Sequence, residues 1–160
     1  GRKVRKINTT LAGEASAAFT LALGRVATFD CRVVPLPNKS RVADYFQWRQ
    51  EDSHRNSLNA HCYWALRKEG QSQNAATAEL ESKSISYKNE LLFQKGINYN
   101  DLPSWQKRGM GIYFKDVDKE GFNPITNETV ITKRRELVVD YELPIGEEYT
   151  EFVLNFLTEE

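Results

Sequence analysis

The sequence is poor in the residues that build metal clusters and reactive thiol sites, with two cysteines and two histidines among 160 residues. It contains neither a CxxC pair nor an HExxH motif, so residue spacing implies no zinc site. A Walker loop, a GxGxxG turn and a GxSxG elbow are missing as well, which removes the local signatures of P-loop NTPases, dinucleotide-binding domains and serine hydrolases. No apolar run approaches the ~20 residues of a membrane helix, and no signal peptide is visible.

The composition is that of an ordinary globular domain. Hydrophobic residues make up 40% of the chain and charged residues 28%, and 160 residues suffice for one core but not clearly for two. Cys31 and Cys62 are most simply buried thiols in a reducing cytoplasm, and a disulfide between them is possible but not needed. We therefore expect one cytoplasmic domain.

The net charge of zero hides an asymmetry along the chain. Residues 1–50 hold nine Lys or Arg against three acidic residues, whereas residues 145–160 hold five glutamates and no base. A basic front half can attract phosphate or nucleic acid, and an acidic tail usually only solvates the surface.

Residues 44–68 predict one long helix, because these twenty-five residues include no proline or glycine. Aromatic residues lie at its two ends, and the middle is polar. At 3.6 residues per turn, one face carries Gln50, His54, Ser57 and His61. A solvated helix face is the simpler interpretation. The alternative is the wall of a binding site that presents hydrogen-bonding groups to a ligand.

The first residues predict a helix that ends at Gly24, since glycine suits the left-handed turn after a helix. Four of the first six residues are basic, at a helix end where free N–H groups already favour anions. A bound phosphate would account for them about as well as a solvated helix end would.

Residues 25–37 alternate apolar and polar side chains, which predicts a strand with one buried face that ends at the prolines. Asp30 and Arg32 project to the same side of it. This pair is either an exposed ion pair or a sign that Arg32 lies on the ligand side of a sheet.

Two short helices are predicted next. The first begins after Ser72 as N-cap and runs to Leu80. The second is capped by Ser86 and closed by Gly96, with three apolar residues buried: Leu91, Leu92 and Phe93. Lys88 falls in its first turn, where a cation gains nothing from the helix dipole, although a surface lysine there is unremarkable.

The last part of the chain predicts a loop, two strands and a helix. Residues 97–109 are rich in turn residues and read as a loop. Residues 109–117 and 130–143 read as two strands joined by a turn, and the tail reads as a short acidic amphipathic helix.

Carboxylates close in sequence do not form a convincing two-metal site: Glu51–Asp52, Asp116–Asp118 and Glu147–Glu148. The candidate functional residues are instead the basic helix end, Arg32, His54 and Lys88. A set of cations without an obvious acid suits the binding of phosphates better than bond making or breaking.

Three motifs, WRQEDSHRNSLN, YKNELLF and INYNDLP, resemble in order and spacing the C-terminal portion of the catalytic domain of the tRNA(His) guanylyltransferase (Thg1-like) family of 3′–5′ nucleotidyltransferases. GRKVRK and FDCRVV fit the same alignment, and the likeness covers roughly residues 1–115. It implies an α+β fold with a polymerase palm-like antiparallel sheet packed with helices, incomplete in this chain.

The resemblance also implies a domain organisation and a metal. Residues 1–160 would be the second half of one palm-like nucleotidyltransferase domain, with a strand hairpin and an acidic helical tail at about 109–160. The family's metal-binding aspartates precede the position that matches Gly1, so ligands for Mg²⁺ are expected upstream of Gly1 and none in this chain.

The implied activity is template-dependent 3′–5′ addition of nucleotides to the 5′ end of tRNA, as tRNA repair or as guanylylation of tRNA(His). A nucleotide activates the 5′ phosphate, and pyrophosphate is released. The alternative is a non-catalytic tRNA- or nucleotide-binding module of the same fold. Expected partners are tRNA, ATP, GTP and further copies of the chain in a tetramer, with no membrane.

Carried over by position, Arg2, Lys3 and Lys6 would grip the triphosphate of the incoming nucleotide. Arg32 and Asn98 would hold the activating ATP or a 5′ triphosphate.

His54 and Lys88 would be catalytic residues at the same activation site, and Ser57 a nucleotide-binding residue. The family's eukaryotic guanylyltransferases carry HINNLYN where this chain has HRNSLNA, so Ser57 and Ala60 replace asparagines. This departure points to the Thg1-like branch of the family, whose members resemble general repairers of 5′-truncated tRNA.

Overall fold

The computed structural model describes the backbone of residues 2–158 and the side chains of residues 3–157. The chain divides into two compact units, Gly1–Asn38 and Lys39–Glu160. None of the helices described within residues 2–158 is long and apolar enough to cross a membrane.

The first unit consists of one helix and the segment that follows it. Helix α1 (Arg2–Leu23) ends just before Gly24, whose φ of +71° is the left-handed conformation that favours glycine. The predicted helix and its end are therefore confirmed.

The strand predicted over residues 25–37 is wrong, because this segment adopts no regular secondary structure. The Thr20 hydroxyl exchanges two 3.1 Å hydrogen bonds with the backbone of Ala27. The backbone N–H of Phe29 donates to the Ser16 hydroxyl at 2.9 Å. A strand needs a neighbouring strand to pair its backbone groups, and here side-chain hydroxyls of α1 bind part of that backbone instead.

Helix α2 (Lys39–Lys68) is the axis of the second unit and confirms the predicted long helix, which begins five residues earlier than expected. Leu58, Cys62 and Leu66 are each no more than 1% exposed and recur every fourth residue on one face. They pack into the main core with Ala65 of the same helix and with residues of the elements that follow: Ala76, Leu80, Leu92 and Tyr99.

Two short helices cover that face of α2. Helix α3 (Gln73–Leu80) has the predicted N-cap, since the Ser72 hydroxyl accepts from the backbone N–H of Ala75. Helix α4 (Ile85–Gln94) is capped by Ser84 rather than the predicted Ser86, because Ser84 has the extended backbone of an N-cap and accepts from Tyr87 N–H at 3.1 Å.

The burial predicted for α4 is correct in part. Leu92 is fully buried and Leu91 half-buried, but Phe93 is 66% exposed and its predicted burial is wrong. Three consecutive helical residues point about 100° apart, so they cannot all face one core. Gly96 follows the helix with φ +75°, as predicted.

Residues 97–109 are more regular than the predicted loop. They form a single 3₁₀ turn (Tyr99–Asp101) and the short helix α5 (Ser104–Arg108). These two elements bring Tyr99, Lys107 and Arg108 against α2.

The predicted strand pair is confirmed as a long hairpin. Strands β1 (Gly111–Asn123) and β2 (Glu128–Asp140) pair antiparallel, with Gly111 opposite Asp140 and Asn123 opposite Glu128. Helix α6 (Gly146–Thr158) follows and packs on α2 in a second core formed by Ala43, Leu143, Tyr149 and Val153. Helices with one two-stranded antiparallel sheet confirm the predicted α+β class.

Candidate functional site

A cleft of about 390 Å³ opens beside the polar middle of α2. Four residues of α2 line it together with one residue each of α4 and α5 and the start of α6: Gln50, Glu51, His54, Arg55, Ile85, Arg108, Ile145 and Gly146. The polar gap in α2 therefore forms the wall of a cleft, as in the second of the two interpretations drawn from its pattern.

Two hydrogen bonds from side chains fix the wall of this cleft. Gln50 is only 7% exposed, and its Nε2 donates to the backbone carbonyl of Pro144 at 2.9 Å. The hydroxyl of the buried Tyr99 donates to the backbone carbonyl of His54 at 3.1 Å. These bonds hold the chain before α6 and the 3₁₀ turn against the middle of α2.

The surroundings of His54 disfavour the charged, protonated form of its imidazole. Burial lowers the pKa of His54 below its ordinary value of 6.5, and the nearby positive charges of Arg108 and Lys107 lower it further. Its ring meets the ring of Tyr99 edge-on, with centroids 5.4 Å apart. At neutral pH the imidazole is therefore mainly neutral and offers one donor and one acceptor.

The cations of α5 differ in how they are paired. Lys107 is 9% exposed, and its Nζ donates to the backbone carbonyl of Asn100 at 2.8 Å. Nε of Arg108 is buried and has no hydrogen-bond partner within the described part of the chain. Because Arg108 also lines the cleft, its guanidinium can bind an anion there.

Ser57 and Asn98, both predicted to bind nucleotide, make hydrogen bonds within the protein. Ser57 Oγ donates to the backbone carbonyl of Gln106 at 2.7 Å and ties α5 to α2. Asn98 caps the 3₁₀ turn, accepting from Asn100 N–H at 3.2 Å and donating to Asp101 at 2.9 Å. Asn98 lines a second cleft, of about 450 Å³, which His54 does not line.

Lys88 lies on α4, one turn after the cleft residue Ile85, and is half-buried. Its backbone carbonyl accepts a 3.3 Å hydrogen bond from the Cys62 thiol. Lys88 itself does not line the cleft beside His54. The structure thus brings α4 to the cleft through Ile85 rather than through the predicted lysine.

The remaining predicted residues belong to the first unit. Lys3 and Lys6 are exposed on α1, and the side chain of Arg2 lies outside the described residues. Nε of Arg32 is 3.7 Å from Asp30, and both side chains are more than 85% exposed. Their roles in nucleotide binding stay predictions.

Lys107 and Arg108 were not predicted as site residues. The two consecutive cations before Gly109 are visible in the sequence, but a segment predicted as a loop gives no indication of where their side chains point. In the structure they belong to α5, a helix only one turn and a half long, and their positive charges lower the pKa of His54.

No group of three or more His, Cys, Asp or Glu side chains that could hold a metal ion comes together among the residues that the structure describes. The expectation that Mg²⁺ ligands precede Gly1 stays a prediction.

Comparison with known proteins places this site in a family context. The family model of the Thg1 C terminal domain matches residues 40–143. A probable tRNA(His) guanylyltransferase of Dictyostelium discoideum is 38% identical over 125 residues, 76% of this chain and 47% of the relative. One of Drosophila melanogaster is 43% identical over 93 residues, 57% of this chain and 32% of the relative.

A solved structure shares the fold. The bacterial tRNA(His) guanylyltransferase (Thg1)-like protein in complex with ATP matches with a TM-score of 0.67 and 29% sequence identity, covering 98% of this chain and 58% of that one. The palm-type α+β fold of Thg1-like proteins is therefore present in part. The chain spans less than half the length of the two curated relatives.

Proposed function

Because this chain belongs to the family of the Thg1 C-terminal domain, we propose that it is part of a nucleotidyltransferase that adds nucleotides to the 5′ end of tRNA in the 3′–5′ direction. The observation that carries the proposal is the cleft beside His54, which the cation Arg108 of α5 also lines. The names of the relatives supply the substrate class, tRNA.

The chemistry proposed for the cleft is the binding of phosphate during activation of the tRNA. An oxygen of the 5′ phosphate attacks the α-phosphorus of ATP or GTP, and the bond to the leaving pyrophosphate breaks. Negative charge grows on the leaving oxygen, and positioned cations stabilise that charge. Arg108 would donate from its guanidinium, and the neutral imidazole of His54 would donate or accept one further hydrogen bond.

His54 and Lys88 are the residues proposed to contact the activating nucleotide. His54 would do so from the cleft wall and Lys88 from α4, whose first residue lines the same cleft. Lys3 and Lys6 are proposed to bind the triphosphate of the incoming nucleotide, and Arg32 to hold the activating nucleotide or a 5′ triphosphate, as the resemblance implies.

Mg²⁺ would neutralise triphosphate charge in such a reaction. The carboxylates described in this chain form no site for it.

Activity of the intact gene product that contains this chain tests the proposal. His54→Ala or Lys88→Ala should lower the rate of activation of a 5′-monophosphorylated tRNA by roughly ten- to a hundredfold, since each removes a charge-assisted contact. A 5′-triphosphorylated tRNA needs no activation and should be affected less. Lys83→Ala is the matched control, because Lys83 lies over the Tyr87 ring outside the cleft. Equal losses on both substrates would contradict the assignment.

A non-catalytic nucleotide-binding module is the second candidate, because the cations Arg55 and Arg108 that line the cleft suit the binding of phosphate by itself. Under either candidate, the 160-residue chain should bind ATP or GTP by itself in equilibrium dialysis and release no pyrophosphate. Transfer of labelled nucleotide to tRNA by the intact gene product supports the enzyme, and its absence alongside retained binding supports the module.

A further inference from the structure

A further cleft, of about 380 Å³, lies along α2 beyond the cleft beside His54. Residues of α2 and α5 line it: Ser57, Ala60, His61, Trp64, Trp105 and Gln106. The α2 residues after Ser57 follow it at intervals of three, four and seven positions, which places them on one face of the helix. We term this cleft the tryptophan cleft, because two of the three tryptophans of the chain line it.

Both indole side chains of the tryptophan cleft are exposed. Trp64 is 60% exposed and Trp105 is 42% exposed. Burial of an indole stabilises a fold, and single exposed apolar side chains are nevertheless common on protein surfaces. Two exposed indoles that line the same cleft are instead typical of a binding site, where the large flat rings provide contact area for a ligand.

Contacts within the protein hold both indoles in place. The Ser57 hydroxyl donates to the backbone carbonyl of Gln106 at 2.7 Å, which ties α5, and with it Trp105, to α2. The ring of Trp64 meets the ring of Tyr63 edge-on, with centroids 5.3 Å apart, and Tyr63 packs against the main core. The two indoles therefore form a preorganised surface for a flat ligand, which lowers the entropic cost of binding.

Charge around the tryptophan cleft indicates what else the ligand carries. No carboxylate is among the described residues that line the cleft, and the cations Lys107 and Arg108 follow Gln106 directly in α5. Indole rings can bind a cation over their faces, but neighbouring positive charges repel such a ligand. The same charges attract an anion. The cleft therefore suits a ligand that combines a flat aromatic ring with negative charge.

From these observations we propose that the tryptophan cleft binds an unpaired base of a single-stranded RNA, which stacks on Trp64 and Trp105. The choice of RNA rests on the proposed function, whose substrate is tRNA. Every base has a π-face, so stacking in the cleft does not require one particular base.

The position of the cleft beside His54 supports a strand rather than an isolated base. Both clefts lie along α2, and Ala60 is six residues after His54, a rise of about 9 Å along the helix. A strand with a phosphate beside Arg108 in the first cleft can therefore place a base in the tryptophan cleft. Backbone contacts to cations together with bases stacked on aromatic side chains are the usual means of binding single-stranded RNA.

Intrinsic fluorescence tests the proposal, because the chain contains only three tryptophans. Trp48→Phe in the 160-residue chain leaves only the two indoles of the tryptophan cleft. Titration of this variant with a single-stranded RNA hexamer of adenosine nucleotides should quench its fluorescence to a saturating level, since a stacked base lies directly on the indole. An abasic hexamer keeps the phosphates and should leave the fluorescence nearly unchanged.

Replacement of single tryptophans measures what each indole contributes to the affinity. Trp64→Leu and Trp105→Leu keep an apolar side chain and remove the flat face, so each should weaken binding of the labelled adenosine hexamer by about five- to 150-fold in fluorescence anisotropy. Trp64→Phe and Trp105→Phe keep an aromatic face and should lose less. Trp48→Leu is the matched control, because Trp48 is 49% exposed on the same helix but does not line the cleft. Far-ultraviolet circular dichroism confirms that each variant is folded.

Four outcomes would overturn the proposal. Unchanged fluorescence on addition of the hexamer would show that no base reaches the indoles, as when another protein surface covers the cleft. Unchanged affinity of both leucine variants, or an equal loss in the Trp48→Leu control, would remove the cleft from RNA binding. Quenching by ATP as strong as that by the hexamer would assign the cleft to a free nucleotide. The readout is binding, so these outcomes are distinct from failure of the proposed function, which is measured as transfer of nucleotide to tRNA.

Discussion

The hydroxyl of Tyr99 donates to the backbone carbonyl of His54 at 3.1 Å, and the two rings meet edge-on. This one contact joins the 3₁₀ turn to the polar middle of α2. Because Lys107 also donates to the carbonyl of Asn100 in the same turn, the position of both cations of α5 relative to His54 depends on how that turn is held.

Tyr99→Phe removes the hydroxyl and keeps the ring, so it tests the hydrogen bonds that this hydroxyl makes with the His54 carbonyl and the Ser57 side chain. Tyr99 is buried, and we expect the free energy of unfolding in urea to fall by about 0.5–1.5 kcal/mol. Tyr87→Phe is the matched control, because its exposed hydroxyl lies 3.4 Å from Glu79 and its loss should cost less than about 0.5 kcal/mol. Equal effects of the two substitutions would show that these bonds contribute nothing particular.

The pKa of His54 should respond to Arg108. Burial is the larger cause of its lowered pKa, so Arg108→Gln should raise the pKa only part of the way toward 6.5. NMR titration of the imidazole measures the change, and Arg134→Gln in the distant hairpin should leave it unaltered. If the pKa of His54 rose equally in both variants, long-range electrostatics rather than the nearby Arg108 would account for the effect of charge on it.

The same lowered pKa predicts how stability depends on pH. The folded chain binds a proton at His54 less readily than the unfolded chain does, so its contribution to stability is fully present above pH 6.5 and is lost as the pH falls from 6.5 through the folded-state pKa. His54→Gln should therefore flatten the decline of the urea midpoint over that interval. An unchanged slope would assign the decline to other groups.

The two cysteines should differ in reactivity. Burial raises the pKa of the Cys62 thiol from 9.0 to about 11, so only about one thiol in a thousand is ionised at pH 8. Cys62 is fully buried and Cys31 only half-buried. Native chain treated with iodoacetamide should be alkylated first at Cys31, and urea should expose both thiols. Peptide mapping that finds Cys62 modified first in the folded chain would contradict this burial.

The parts of the fold that were predictable from sequence are those specified by local chemistry. The unbroken run of α2, the Ser72 cap and the turn glycines Gly24 and Gly96 need only the residues within one or two turns. The alternation and turn signals of the hairpin are equally local. Each of these was confirmed.

The wrong predictions concern features that depend on contacts with residues distant in the sequence. A strand over residues 25–37 would require a neighbouring strand, which the residue pattern cannot supply. Ser84 and Ser86 are both acceptable caps by residue type, and the backbone geometry selected Ser84. Of the eight residues that line the cleft, the helix pattern placed Gln50 and His54 on one face. Arg108 was not predicted, because its position depends on a short helix held by contacts with α2.

Ser57 and Ala60 are predicted to bear on substrate choice, and the structure shows which hydrogen bonds each side chain can still offer. The hydroxyl of Ser57 already donates to Gln106, so it has no hydrogen left to donate to a ligand. Ala60 is exposed in a cleft of about 380 Å³ whose walls include Trp64 and Trp105. A short apolar side chain there offers no hydrogen bond to a base. Ser57 and Ala60 themselves therefore offer few hydrogen bonds with which to distinguish one nucleotide from another.

We therefore predict that the intact gene product relies on base pairing to choose the nucleotide it adds. A tRNA that lacks its first 5′ nucleotide should be restored with whichever base pairs with the opposing position, and addition of an unpaired G to full-length tRNA(His) should be slower. The comparison is kcat/KM for the two substrates with all four nucleoside triphosphates present. Ser57→Asn with Ala60→Asn supplies two amide groups and should narrow the difference, because an asparagine can donate and accept at a base edge. A preference of the unaltered protein for the unpaired G would mean that Ser57 and Ala60 do not set its specificity.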